Sequence, residues 1–280
     1  MRIGLQVPAF NFPGGTERIA PEFARIAREA DQAGLASLWV MDHFFQIPSV
    51  GEAEEPMLEA YTTLAYAAAV TERITLGTMV TGVNYRHPGV LIKTVTTLDV
   101  LSGGRAWLGI GAGWFEEEAR GLGLPFPPLG ERFEWLEETL RLADRMWKGD
   151  ESPVHGRHFT FERPLNSPQP LRRPPILVGG GGEKKTLRFV ARYADACNLF
   201  AGAPDLERKL EVLREHCERE GRPYEEIEKT VLATLDAGAS VEETLDEIGR
   251  LGALGIDQVI FSAREAHKVT DLVAEVNRRL

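Results

Sequence analysis

Two cysteines in 280 residues, Cys197 and Cys217, are too few for a disulfide framework or a closed zinc site. Cys217 continues the apolar spacing of Leu206, Leu210 and Leu213, so both cysteines read as packing residues of a chain from the reducing cytoplasm. No apolar run reaches the roughly 20 residues that cross a bilayer. The chain begins on a strand-like alternation of Ile3, Leu5 and Val7 without the pattern of a signal peptide. Basic residues are in deficit, 32 Lys and Arg against 42 Asp and Glu, for a net charge of -10. That argues against nucleic acid or an anionic membrane as the main partner, because both demand a basic face. A small molecule is the partner that remains.

Short β-like runs alternate with amphipathic helical runs from end to end. Strands are expected near residues 2–7, 37–41, 74–80, 105–110, 175–178, 195–199, 229–234 and 258–261. The first helix carries Ile19, Phe23, Ile26, Ala30 and Ala33 on one face at the helical period. A later one opens on a capping box, Ser240 to Glu243. Eight such units in a chain of this size point to a single α/β domain over residues 1–280, a closed (β/α)8 TIM barrel. An open doubly wound sheet is the competitor, although nothing marks a boundary where its strand order would reverse. Two stretches break the rhythm between the fourth and fifth strands. Residues 121–132 are rich in Gly and Pro, and residues 149–175 form a long insertion with a hairpin near 158–162; segments of this kind in a compact domain are lids, binding elements or surface decoration.

Chemistry in such barrels gathers at the C-terminal ends of the strands. Several classes lack their residues there. No lysine is placed for a Schiff base, and the first strand ends without the histidines of a metal hydrolase. Of the carboxylates a glycosidase would pair, only Asp42 and Asp236 are available, so no metal and no paired-acid chemistry is expected. What is present is Asp42-His43, then the crook "TMVTGVN" at 78–84, then Gly111-Ala-Gly-Trp114, then Gly179 to Gly182. The four glycines run into a helix start with Lys184, Lys185, Arg188 and Arg192. Converging backbone N–H groups and a helix N-terminus favour a phosphate. A flexible turn followed by a solvated basic helix is the plainer reading.

Three motifs, "LWVMDHF" (38–44), "VTGVNYRHPGVLIKTVTTLDVLSGGRAWLGIGAGW" (80–114) and "PPILVGGGG" (174–182), occur in this order. With them the chain resembles the bacterial luciferase-like flavin and deazaflavin oxidoreductases over nearly its whole length, and most closely their F420-dependent branch. The resemblance implies a barrel that binds coenzyme F420, or alternatively FMN, and transfers a hydride to or from a small organic substrate. It implies an enzyme, often a homodimer or larger. By position it implies a non-prolyl cis peptide at Met79-Val80 against the ring, and cofactor contacts from His43, Met79, Val80, Thr81, Asn84, Gly111, Trp114, Gly179, Gly180, Gly181 and Gly182. His43 is the implied proton shuttle, with Asp42 to orient it. Some relatives carry an acidic residue where Trp114 stands, so Glu117 or Glu118 is the substitute acid. An FMN-dependent monooxygenase and a non-catalytic flavin binder remain alternatives.

Overall fold

A computed structural model describes residues 1–280. The first stave is β1 (Arg2–Val7), buried from Ile3 onward on both faces. It is followed by α1 (Thr16–Gln32), which turns Ile19, Phe23, Ile26 and Ala30 inward, and by β2 (Ser37–Val40). Then come α2 (Ala60–Val70), β3 (Thr75–Thr78) and β4 (Thr81–Gly82). Helix α3 (Pro88–Ser102) opens on a proline, whose missing N–H would be unpaired there in any case, and β5 (Ala106–Gly111) follows it. Each of these strands is short and buried along nearly its whole length, as expected where one face meets helices and the other meets a filled barrel interior.

The fourth and fifth staves are separated by α4 (Glu116–Gly121), α5 (Leu129–Trp147) and a small antiparallel hairpin, β6 (Val154–His155) with β7 (Thr160–Phe161). The hairpin thus begins earlier than its expected 158–162. The chain then resumes its alternation with β8 (Ile176–Gly179), α6 (Thr186–Tyr193), β9 (Ala196–Phe200) and α7 (Leu206–Glu220). It ends with β10 (Glu228–Thr234), α8 (Val241–Ala253), β11 (Gln258–Ser262) and α9 (Ala266–Arg279). The capping box of α8 is present in both directions between Ser240 and Glu243.

All the barrel pairings are parallel. β1 pairs with β2 on one side and β11 on the other, and β3 pairs with β5. The sheet therefore closes in the order β1-β2-β3-β5-β8-β9-β10-β11, with β4 continuing the third stave past an interruption. Closure removes the open doubly wound alternative, because that sheet would leave two edges.

The N-terminal end of the barrel is tied by buried charges. Arg105 donates to the carbonyls of Ala68, Thr71, Ile74 and Ser102, and Asp31 accepts from the backbone N–H groups of Glu72, Arg73 and Ile74. Asp99 accepts from Leu171 and Arg172, strapping the second half of the insertion along α3. The first half sits at the opposite end of that helix, where Phe159 and Phe161 meet the His87 ring edge-on at 5.5 and 5.4 Å. Both cysteines are free and buried, and burial pushes the Cys197 thiol up to about 12. No helix is long and apolar enough to cross a membrane.

Candidate active site

The interruption between β3 and β4 lies at the C-terminal mouth, and the peptide bond joining Met79 to Val80 is cis. The crook is anchored from below. Met79 packs downward with Trp39, Leu177 and Ile260, and its carbonyl accepts from Gln6 Nε2 at 3.1 Å. Thr78 Oγ1 donates to the Gly109 carbonyl at 2.9 Å, and the Thr81 hydroxyl lies 2.9 Å from Thr78 Oγ1 and 2.7 Å from Tyr61 Oη. From Leu76 to Tyr85, Val80 alone is partly exposed.

Neighbouring glycines make room for this arrangement. A Cβ on Gly109 would lie 1.8 Å from the Thr78 carbonyl oxygen. One on Gly179 would lie 2.9 Å from Val80 Cγ1, and one on Gly111 would lie 3.1 Å from Val80 Cγ2. The glycines of the fourth and fifth staves therefore admit the Val80 side chain, which stands as an apolar platform at the mouth.

Beside the crook lies a buried polar cluster. The Glu118 side chain is 0 % exposed, and its Oε1 lies 3.1 Å from His43 Nδ1 and accepts from Tyr85 Oη. Its Oε2 accepts from the backbone N–H of Phe44 and, at 2.8 Å, from that of Phe45. Burial pushes the Glu118 carboxyl up, but the bonds from His43, Tyr85 and Phe45 outweigh it and hold the group below the usual carboxylate range. Burial and the neighbouring Glu118 carboxylate together push the Tyr85 phenol up, so it stays protonated.

Asp42 faces elsewhere: it takes a two-pronged ion pair from Arg86 at 2.5 and 3.0 Å, and Arg86 also pairs with Glu59 and lies over the Tyr61 ring at 4.8 Å. Burial works against the Arg86 charge, yet Asp42, Tyr61 and Glu59 outweigh it and push its pKa up. The orienting carboxylate for His43 is thus Glu118, and Asp42 fixes the segment that follows the crook.

The remaining expected residues divide. Trp114 is 58 % exposed, stacked on Phe115 with centroids 5.1 Å apart and set edge-on to His43 at 5.7 Å. Asn84 is buried, donates from Nδ2 to the Pro125 carbonyl at 3.2 Å and leaves Oδ1 without a partner, against Gly113. The Thr81 hydroxyl is turned into the structure and Met79 lies beneath the mouth, so neither side chain faces it.

Glu117 is exposed on the outer side of α4, and its neighbour Glu118 is the one turned in. Gly180, with φ of 110°, and Gly181 and Gly182 form an open corner ahead of α6. The basic residues after it do not form one face toward that corner, because Arg192 sits in the last turn of α6, 3.7 Å from Glu137 and 3.5 Å from Glu220. Lys209 of α7, unforeseen in the sequence, reaches the corner instead: its Cε would lie 3.3 Å from a Cβ on Gly181, and its Nζ is held by Glu183 at 3.0 Å and Asp205 at 2.8 Å.

The molecule is thus a closed parallel (β/α)8 barrel with a crooked third stave, a glycine-bordered apolar platform and a buried His–Glu pair at one mouth. The chain belongs to the luciferase-like monooxygenase family, whose model matches residues 1–274. Among its relatives, the F420-dependent glucose-6-phosphate dehydrogenase of Kineococcus radiotolerans is 33% identical over 225 residues, 79% of this chain and 65% of that protein. This chain thus spans less than two thirds of that enzyme's length. An uncharacterized protein of Mycobacterium tuberculosis is 29% identical over 272 residues, 91% of each chain. Two solved structures share the fold at 18% identity. An F420-dependent secondary alcohol dehydrogenase in complex with an F420-acetone adduct has a TM-score of 0.83 and 98% of each chain covered. The coenzyme F420-dependent tetrahydromethanopterin reductase of Methanopyrus kandleri has a TM-score of 0.80, with 98% of this chain and 97% of that one covered.

Proposed function

We propose that this chain is an oxidoreductase that transfers a hydride between coenzyme F420 and a small organic substrate, with FMN as the alternative cofactor. The observation that carries the reading is the platform: Val80 is the one side chain of the crook that reaches the mouth, and Gly111 and Gly179 flank it on neighbouring staves. A flat ring fits such a floor, and an apolar floor with few polar groups around it is the usual make-up of a cofactor cleft. The Gly180 to Gly182 corner before α6 suits a phosphate, with exposed Lys184 and the side chain of Lys209 at hand. The F420-dependent relatives favour F420 over FMN.

Bound F420 would supply the hydride donor and acceptor. The chain's own residues do the rest. Val80 supports the ring, His43 holds or takes a proton, and Trp114 with Phe115 forms an aromatic wall beside the imidazole. Glucose 6-phosphate is not carried over as substrate, given how little of that enzyme the match spans. The test is a screen of the full chain against alcohols, aldehydes and enoyl compounds, anaerobically with oxidised or reduced F420 and in air with reduced FMN, followed by cofactor absorbance. Turnover with one class supports the reading. Turnover only with reduced FMN and oxygen moves the protein to the monooxygenase alternative, and turnover with neither cofactor removes the enzyme reading.

A further inference from the structure

We propose that Glu118 is a positioning residue that fixes His43 as the Nδ1–H tautomer, leaving the Nε2 lone pair as the proton acceptor of the site. The inference rests on the oxidoreductase reading for what that proton is used for, but not for the tautomer itself.

The argument is one of hydrogen-bond supply. An ionised carboxylate only accepts, so each group bonded to it must donate. Glu118 Oε2 is filled by the Phe44 and Phe45 N–H groups, which have no other state. Its Oε1 faces two groups, Tyr85 Oη and His43 Nδ1. Tyr85 Oη also lies 3.2 Å from His43 Nδ1, but its closer contact is with the charged Oε1, so its one hydrogen goes to the carboxylate. His43 Nδ1, 3.1 Å from the same oxygen, must therefore carry a hydrogen too, because a lone pair there would face a charged oxygen across a buried gap.

In the neutral ring that hydrogen leaves Nε2 bare. Nε2 takes no hydrogen bond from the protein and is not sealed from solvent; the side chain keeps 10% of its surface exposed, beside Trp114. When a substrate is oxidised, its carbon gives up a hydride to the cofactor and its hydroxyl or amine gives up a proton to Nε2. The imidazolium formed keeps its Nδ1–H on Glu118, and the reverse reaction returns the same proton. Glu118 touches none of the reacting atoms. Its part is to select the tautomer and hold the ring, a division of labour known from buried carboxylates behind catalytic histidines.

Nitrogen-15 NMR of the histidine side chains tests this on the full chain without cofactor, His43 being assigned by its loss in His43→Gln. In the neutral ring the wild type is expected to show protonated Nδ1 and bare Nε2. Glu118→Gln is the informative variant. Its amide oxygen can still accept the Phe44 and Phe45 N–H groups, while its amide nitrogen turns a donor toward Nδ1, so the expected spectrum shows the tautomer reversed. Tyr85→Phe leaves the carboxylate in place and should keep the wild-type tautomer. In turnover, Glu118→Gln should lower kcat by about a hundredfold with cofactor affinity within about twofold of wild type. A bare Nδ1 in the wild type, or an unchanged tautomer in a folded Glu118→Gln, overturns the proposal whatever the cofactor or substrate proves to be. A wild-type spectrum as expected with no turnover in any assay would leave the positioning intact and count against the oxidoreductase reading alone.

Discussion

Gly109, Gly111 and Gly179 matter for the side chains they omit. A methyl group at Gly109 would be driven into the Thr78 carbonyl, which is backbone and cannot rotate away. Gly109→Ala should therefore destabilise the fold by about 3 kcal/mol or more, near the top of the range for overpacking. Gly130→Ala, where a Cβ meets nothing, should leave the melting temperature within a few degrees of wild type. Equal melting temperatures for the two variants would contradict the account of the crook.

A second residue-scale outcome concerns the Asp42–Arg86 pair, whose side chains are 1% and 14% exposed. Asp42→Ala leaves a buried guanidinium short of its main partner and should cost about 3–5 kcal/mol, measured by urea unfolding. The same scale explains what could and could not be read in advance. His43, Val80 and Gly179 were legible because they sit in motifs at the ends of the second, third and fifth strands. Glu118 was named only as an alternative to Glu117, because a run of three acidic residues resembles any solvated helix face and its partners lie more than 30 positions away in the sequence. The one available signal was spacing: α4 is so short that only one of its three glutamates can point inward.

At the scale of elements, the eight staves and the helices between them were readable because strand and helix periods differ and alternate. The closed (β/α)8 barrel expected from the count of units is the one observed, whereas the packing of the insertion's two halves and the course of α6 were not readable, since they depend on contacts between distant segments. For α6 the difference has a consequence. Arg192 is engaged by Glu137 and Glu220 at the far end of the helix, so Arg192→Glu should change F420 affinity by less than about twofold. Lys184→Glu, at the open corner, should weaken it at low salt, with the loss fading as salt is raised. Fluorescence titration at two ionic strengths separates the two outcomes, and an equal effect of both variants would speak against the corner as the phosphate site.

Asp31 links the end of α1 to the turn before β3. Burial pushes its carboxyl up, and the Ile74, Arg73 and Glu72 N–H groups together pull it below its ordinary 3.8. Glu118 is likewise held below 4.5. A depressed folded value stabilises the protein above the unfolded value and loses that contribution as pH falls through the folded one. Urea midpoints should therefore drop as pH is lowered from 4.5 through and below 3.8, and Asp31→Asn should flatten the descent. A slope unchanged in that variant would show that the Asp31 bonds do not set it.

For the whole molecule, the closed barrel brings the C-terminal ends of its strands together at one mouth, and the family match over residues 1–274 agrees with that architecture. At the open corner Lys209 is already held by Glu183 and Asp205, so exposed Lys184 is the cation that an acidic cofactor tail would meet there. The central claim is that a planar redox cofactor rests on Val80 in that mouth. Equilibrium titration of the full chain with F420, read by cofactor fluorescence and repeated with FMN, tests it most directly. Saturable one-to-one binding of F420, tighter than that of FMN, is the expected result. No saturable binding of either cofactor by the folded protein would contradict it.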